Sequence, residues 1–270
     1  MQKNIAVRVE HLSKRFGEVQ AVHDISFDVL EGECFGLLGP NGAGKSTTIK
    51  MMTTLLSIDE GVIEIAGHSV QKHPTHVRES IGYVPQMLSV DGTLTGYENL
   101  LIFSKLYGLR RKEREERIAQ ILSLIGLEEA ADRQVKTYSG GMIRKLEIGQ
   151  AILHYPKVLF LDEPTVGLDP VARRGIWEHI EKLRQEHHMT VILTTHYMDE
   201  AESLCSRIAI MNKGQIAALG TVEELREKTG NPEASMDDIF AHFAGQIDNQ
   251  NQEGEFRNVF RNRRTAKRLG

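Results

Sequence analysis

From Gly39 to Thr47 the chain reads Gly-Pro-Asn-Gly-Ala-Gly-Lys-Ser-Thr, so that Gly39 precedes a Gly44-Lys45-Ser46 ending at a fixed spacing. That spacing is suited to holding phosphate. Gly39, Gly42 and Gly44 carry no Cβ, which lets the backbone bend tightly and bring its N–H groups close to phosphate oxygens. A helix beginning at Ser46 adds free N–H groups and a partial positive charge. Lys45 then reaches the β- and γ-phosphates, and the Ser46 hydroxyl ligates Mg²⁺. The candidate nucleotide-binding set in this stretch is Gly39, Asn41, Gly42, Gly44, Lys45, Ser46 and Thr47. A plain glycine turn accounts for the glycines but not for the Gly-Lys-Ser ending.

Two further stretches could do chemistry. Leu159-Phe160-Leu161 runs into Asp162-Glu163. An apolar strand ending in an acid places that carboxylate at the edge of a sheet, where Asp162 can hold Mg²⁺ directly or through water. Glu163, one residue on, points differently and can take a proton from an attacking water. Tyr138-Ser139-Gly140-Gly141-Met142 stands before a helical stretch, and serine with two glycines there makes either an anion-binding nest or an ordinary helix cap.

The elements around these residues follow from periodicity. Ile5, Val7 and Val9 alternate with polar residues, as do Ile25, Phe27 and Val29, and both read as half-buried strands. Cys34–Leu38 is a short buried strand entering the glycine loop, and Ser46–Leu56 reads as the helix leaving it. Gly61–Gly67 and Ile81–Val84 are further strands. Thr95 with Glu98 forms a capping box for a helix to about Tyr107. The charged run Arg110–Arg117 starts another, in which Ile118, Ile121, Leu122 and Ile125 recur at helical spacing until Gly126. A third runs from Ser139 to about His154, so residues 88–155 form a helical insert. Beyond it, Val158–Leu161 is a strand, Arg173–Glu186 a helix, and Val191–Leu193 a strand ending at His196. Ile208–Met211 and Gln215–Leu219 flank Asn212-Lys213-Gly214, a hairpin signature. Thr221 with Glu224 caps one more helix. Strands alternating with helices predict a mostly parallel central sheet.

Composition narrows the partners. A net charge of −4 over 270 residues makes no case for nucleic-acid binding. The two cysteines, Cys34 and Cys205, belong to no Cys-x-x-Cys, which argues against a zinc site or a disulfide framework. No stretch approaches the ~20 apolar residues of a membrane span, so a cytoplasmic chain is expected, with any spanning done by another polypeptide. From Gly245 the chain turns polar, then ends in Arg257, Arg261, Arg263, Arg264, Lys267 and Arg268 interleaved with Phe256, Val259 and Phe260. This tail reads either as a basic amphipathic helix for anionic lipid or a partner, or as a disordered solvated tail; the looseness of polar termini favours the second.

Taken in order, these signals resemble the ATP-binding cassette (ABC) ATPases over residues from about 5 to 225. The glycine loop, the Ser139-Gly140-Gly141 signature loop and the Asp162-Glu163 strand stand in that family's order. The resemblance implies further roles. Gln86 sits where the family has its Q-loop glutamine, with a part in metal binding and catalysis. Gly167-Leu168-Asp169 resembles the D-loop, which makes Asp169 a nucleotide-site residue. His196 stands as the switch histidine, and Phe16 falls where an aromatic ring stacks on adenine. The implied fold is α/β, a P-loop NTPase core with an N-terminal antiparallel β subdomain and an inserted α-helical subdomain. The nucleotide-binding domain would cover residues 1–230 and a C-terminal extension residues 231–270.

One feature departs from the most familiar signature, Leu-Ser-Gly-Gly-Gln: its ends here are Tyr138 and Met142, and a thioether cannot offer the hydrogen bonds of a glutamine amide. The Tyr-Ser-Gly-Gly-Met form, with Arg144, Leu146 and Glu147 behind it, is similar to ATPase subunits of type-2 ABC exporters, including the daunorubicin-resistance type. That group exports drugs, antibiotics, lipids or polysaccharides. The resemblance implies ATP and Mg²⁺ as cofactors and a sandwich of two subunits, each site joining the Lys45 loop of one to the Ser139 loop of the other. It also implies separate transmembrane permease subunits and a place on the inner face of the cell membrane. The rival reading is a soluble ABC ATPase of cofactor assembly or translation. A single cassette argues against the translation type, and intact Glu163 and His196 argue against a non-hydrolysing regulatory module.

Overall fold

The computed structural model describes residues 4–245; the basic tail lies outside the described residues. In chain order the elements are β1 (Ile5–Phe16), β2 (Val19–Leu30), β3 (Cys34–Leu38), α1 (Lys45–Met52), β4 (Glu60–Ile65), β5 (His68–Ser69), α2 (Pro74–Ser80) and β6 (Ile81–Val84). Next come α3 (Gly96–Leu106), α4 (Arg111–Ile125), α5 (Gly140–Ile152), β7 (Val158–Asp162), α6 (Pro170–His187), β8 (Thr190–Thr195) and α7 (Met198–Leu204). The series ends with β9 (Arg207–Asn212), β10 (Gln215–Gly220) and α8 (Val222–Thr229), followed by helical residues 236–245.

The strands form two sheets. One is antiparallel, in the order β2-β1-β4-β5. The other runs β10-β9-β3-β8-β7-β6 and is parallel except for the edge pair β9–β10. Period-two alternation divides the side chains of the parallel strands between two cores. Phe35, Leu37, Val158, Phe160 and Ile192 face α1 and the antiparallel sheet. Leu159, Leu161, Val191 and Leu193 face the helices, including α4, α5 and α6. Both faces are covered, which is why these strands read as unbroken apolar runs. Phe27 of β2 stacks on Phe35 of β3 with ring centroids 5.2 Å apart, joining the two sheets. Cys34 and Cys205 are buried free thiols. Residues beyond α8 contribute Ala234, Met236, Ile239 and Phe243 to the helix-side core.

The caps expected at Thr95–Glu98 and Thr221–Glu224 are both complete capping boxes. Several bounds differ from the sequence reading. The helix after the glycine loop stops at Met52 rather than Leu56: the Thr53 hydroxyl turns back to the Ile49 carbonyl at 2.9 Å and Thr54 takes φ 64°. The helix expected at Arg173 starts at Pro170 and is capped by Asp169. Strand β1 continues past Val9 to Phe16, and α2 and α7 were not foreseen; each has only seven residues, too few to show a helical period.

The parallel pairing matters most for function. Leu38 lies beside Thr195, Asp162 beside Thr194 and Val84 beside Leu161. Strands β3, β6, β7 and β8 therefore release the chain at the same edge, the carboxyl end where open α/β sheets bind ligands.

Candidate nucleotide site

Each strand delivers one part of the site at that edge. After β3, the glycine loop turns into α1 with Gly44 as N-cap at φ 100°. A Cβ at Gly44 would stand 2.6 Å from the Ala21 carbonyl, and one at Gly39 would collide with the Met211 carbonyl. No side chain fits at either place, so the tight turn requires glycine. Lys45 opens α1 and folds back across the loop, donating to the Gly39 carbonyl at 2.7 Å and the Pro40 carbonyl at 3.1 Å. Burial pulls the Lys45 ammonium below its usual range, while the charges of Glu163 and Asp162 push it back up. A site that desolvates a cation at the N-terminus of a helix gains most when a polyanion arrives.

After β7, Asp162 accepts hydrogen bonds on one oxygen, Oδ1, from the Ser46 hydroxyl at 3.1 Å and the Thr194 hydroxyl at 2.6 Å. The next residue, Glu163, takes φ 50°, a left-handed conformation rare outside glycine. This turn swings its carboxylate out of the strand direction. Its Oε1 lies 3.7 Å from Lys45 Nζ and 3.4 Å from His196 Nδ1. Its Oε2 accepts from Gln86 Nε2 at 3.0 Å. His196 follows β8 and its ring packs against Tyr197 with centroids 4.3 Å apart. His196 Nδ1 is buried and has no hydrogen-bond partner, an orphan beside the carboxylate. Burial and the Asp162 charge push the nearby Tyr83 hydroxyl up to about 12.

Lys45, Ser46, Gln86, Asp162, Glu163 and His196 are thus brought together. Thr194 belongs with them and was missed: its hydroxyl donates to Asp162 and accepts from the Glu163 amide at 3.0 Å. A buried threonine in a β-branched strand carries no local signal; only its register beside Asp162 reveals it. Phe16 ends β1 and is 48% exposed, with Lys14 Nζ 5.5 Å from its ring centroid, open to a stacking partner.

Ser139, Gly140, Gly141 and Asp169 are placed elsewhere. Ser139 caps α5 by accepting from the Met142 amide at 3.3 Å. Ser139 and Gly141 line an open groove of about 740 Å³ with Arg133, Lys145, Val171 and Ala172, and no residue of the Gly39–Thr47 loop lines it. The Asp169 carboxylate caps α6 through the amides of Val171 and Ala172, both at 2.9 Å. Tyr138 is buried with its hydroxyl on the Ala130 carbonyl at 2.6 Å, and Met142 packs against the helix-side core. Tyr138 therefore serves packing, while Met142 both packs and lines the groove.

Comparison with known proteins gives the family. The family described as ABC transporter matches residues 22–166. The chain belongs to the ABC transporter family. It is 45% identical over 224 residues to the linearmycin resistance ATP-binding protein LnrL of Bacillus subtilis, covering 83% of this chain and 72% of that protein. It is 44% identical over 230 residues to the daunorubicin/doxorubicin resistance ATP-binding protein DrrA of Streptomyces peucetius, covering 85% and 69%. Among solved structures, an ATP-binding subunit of an ABC transporter superposes with a TM-score of 0.78 at 32% identity, over 88% of this chain and 99% of that one. A dimeric ATP-binding cassette in a post-hydrolysis state, bound to ADP and Pi, superposes with 0.70 at 27%, over 80% and 98%. As an ABC ATPase the chain binds and hydrolyses ATP, and that hydrolysis is coupled to transport.

The site also suits Mg²⁺. Its donors are hard oxygens, the Ser46 hydroxyl beside one Asp162 carboxylate. Among the described residues no group of three or more His, Cys, Asp or Glu is arranged to hold a metal alone. One carboxylate plus nucleotide phosphates is how Mg²⁺ is usually held.

Proposed function

We propose that this chain is the ATP-hydrolysing subunit of an exporter, moving a drug, antibiotic, lipid or polysaccharide outward through separate membrane subunits, and that Glu163 is its general base. One observation carries the assignment: a single buried carboxylate is surrounded by Lys45, Gln86 and His196 beside the Ser46–Asp162 pair. The glycine-loop amides and Lys45 hold the β- and γ-phosphates, and Phe16 stacks on the base. Ser46, Asp162 and Gln86 would hold Mg²⁺, which would neutralise phosphate charge. Glu163 accepts the proton of the attacking water, Gln86 orients that carboxylate, and His196, whose buried Nδ1 faces Glu163, offers the exposed part of its ring to a phosphate oxygen. Catalysis then rests on positioning and charge.

The Ser139-Gly140-Gly141 loop and Asp169 serve the nucleotide of a second ABC subunit, a second copy of this chain in the simplest case. Residues 88–155 act as an inserted helical subdomain within a nucleotide-binding domain of residues 1–230. Among the described residues no helix is long and apolar enough to cross a membrane. In this reading separate permease subunits do the spanning, and this chain works against their inner face.

Glu163→Gln tests the assignment. It keeps size and hydrogen bonding but cannot take a proton, so hydrolysis should fall by ~10²–10⁴-fold while ATP stays bound. Phosphate release and retained nucleotide are measured on the same sample. Turnover at the parent rate would sink the role given to Glu163.

A further inference from the structure

We propose that the buried Arg144–Glu147 pair is a clamp that positions Gln86, and through it Glu163, from the helix that carries the Ser139 loop. The inference rests on the reading above, in which Gln86 and Glu163 act at the reacting end of ATP. Both charges sit on α5, one turn apart, with Arg144 3% and Glu147 2% exposed. Arg144 Nη1 lies 2.9 Å from Glu147 Oε2. Burial pulls the guanidinium down and pushes the carboxyl up, which is the cost of taking both charges out of water. For the fold alone, well-packed apolar side chains of similar volume serve as well or better.

What the pair does besides facing itself is hold residues 85–89. Arg144 Nη1 donates to the Pro85 carbonyl at 2.9 Å and Nη2 to the Gln86 carbonyl at 3.3 Å. Glu147 Oε1 accepts from the Ser89 amide at 2.6 Å and from the Ser89 hydroxyl at 3.1 Å. The loop is therefore gripped at both feet, while Met87 and Leu88 between them are 82% and 61% exposed. The Gln86 side chain leaves the gripped foot and meets Glu163 at 3.0 Å. A planar guanidinium presents donors in a fixed fork, so it sets two adjacent carbonyls at once in a way an ammonium cannot. Because Ser139 caps the same helix, Gln86 and the Ser139 loop are referred to one rigid body. Arg144 and Glu147 touch neither nucleotide nor water in this scheme; they are positioning residues.

The test uses the full chain and two forms of the clamp. Arg144→Lys keeps a charge opposite Glu147 but loses the fork. The pair Arg144→Met with Glu147→Leu removes both charges at similar volume. Each should bind a fluorescent ATP analogue with the parental Kd. Each should exchange the amides of peptide 85–90 with deuterium about tenfold faster or more, with the glycine-loop peptides unchanged. Each should hydrolyse ATP about tenfold more slowly or worse at saturating nucleotide, with KM little altered. Combined with Gln86→Ala, the rate losses should be non-additive, because the clamp acts through that side chain. Parental exchange in peptide 85–90 would overturn the proposal, and so would losses that multiply with Gln86→Ala. Should the paired variant fail to fold, Arg144→Lys, which keeps the ion pair, decides the matter. Glu163→Gln separates this inference from the reading it rests on. If that variant hydrolyses normally, the site assignment fails; if it stops while the clamp variants run at the parent rate, the clamp alone fails.

Discussion

Replacing Thr194 by valine should damage stability and hydrolysis while sparing nucleotide binding. The side chain is fully buried, and valine nearly matches its shape, so no cavity opens and the effect comes from the hydroxyl. That hydroxyl makes two bonds of unequal weight. The bond to Asp162 Oδ1, at 2.6 Å, runs to a buried carboxylate, and a hydrogen bond to a charged group contributes ~1.5–3 kcal/mol. The bond from the Glu163 amide, at 3.0 Å, is partly redundant, because the same amide also reaches the Thr194 carbonyl at 3.2 Å. The first bond dominates, for a loss of about 2–3 kcal/mol. For a chain of this size each kcal/mol lowers Tm by roughly 2–4 °C, so the midpoint should fall by about 4–12 °C. Hydrolysis should fall about tenfold, since Asp162 and Glu163 lose their common reference point. ATP affinity should hold, because the glycine loop and Lys45 are untouched. Thr194→Ser is the control. It keeps both bonds and loses one methyl, for about 1 kcal/mol, and should hydrolyse near the parent rate. Calorimetry, steady-state phosphate release and equilibrium titration give the three readouts. If valine and serine behave alike in hydrolysis, the hydroxyl does not organise the acids and the reasoning is refuted.

Three further outcomes follow from the same geometry. Lys45→Ala removes the cation that folds over the glycine loop and should weaken ATP binding itself; unchanged affinity in a fluorescent-nucleotide titration would move the site elsewhere. Ser139→Arg fills the cap and groove face proposed to meet a second subunit, so it should abolish ATP-dependent dimers seen by size-exclusion chromatography without altering ATP binding to the lone chain; normal dimers would refute the shared site. His179 reports on pH. Burial, with Lys145 and Lys182 adding, pushes its imidazole down to about 4, so between that value and the usual ~6.5 the unfolded chain binds a proton that the folded chain does not. Its contribution is complete above pH ~6.5 and is lost as pH falls toward 4, of the order of 3 kcal/mol. His179→Leu should flatten the decline of Tm over that window, and an unchanged slope would show that other groups cause it.

Local order in the chain was enough for much of this protein. The glycine loop was legible because its glycines, lysine and serine stand at a fixed local spacing, although the Met211 and Ala21 carbonyls that crowd Gly39 and Gly44 come from elsewhere in the chain, and the boxes at Thr95–Glu98 and Thr221–Glu224 because a cap is satisfied within four residues. Asp169-Pro170 also spells a helix start, and the structure gives Asp169 that capping bond, although the sequence reading weighed it only as a nucleotide-site residue. The tertiary structure alone decided what meets across the sheet. A buried parallel strand shows the same apolar run whichever neighbour it takes, so no local pattern could reveal the order β10-β9-β3-β8-β7-β6. That order sets Thr194 beside Asp162 and turns Gln86 toward Glu163. The grip of Arg144 and Glu147 on residues 85–89 spans 58 and 59 positions of sequence. Hydrogen bonds act over about 3 Å of space and are blind to distance along the chain. The residue types needed for the chemistry could be read in order, but their meeting around one carboxylate required the fold.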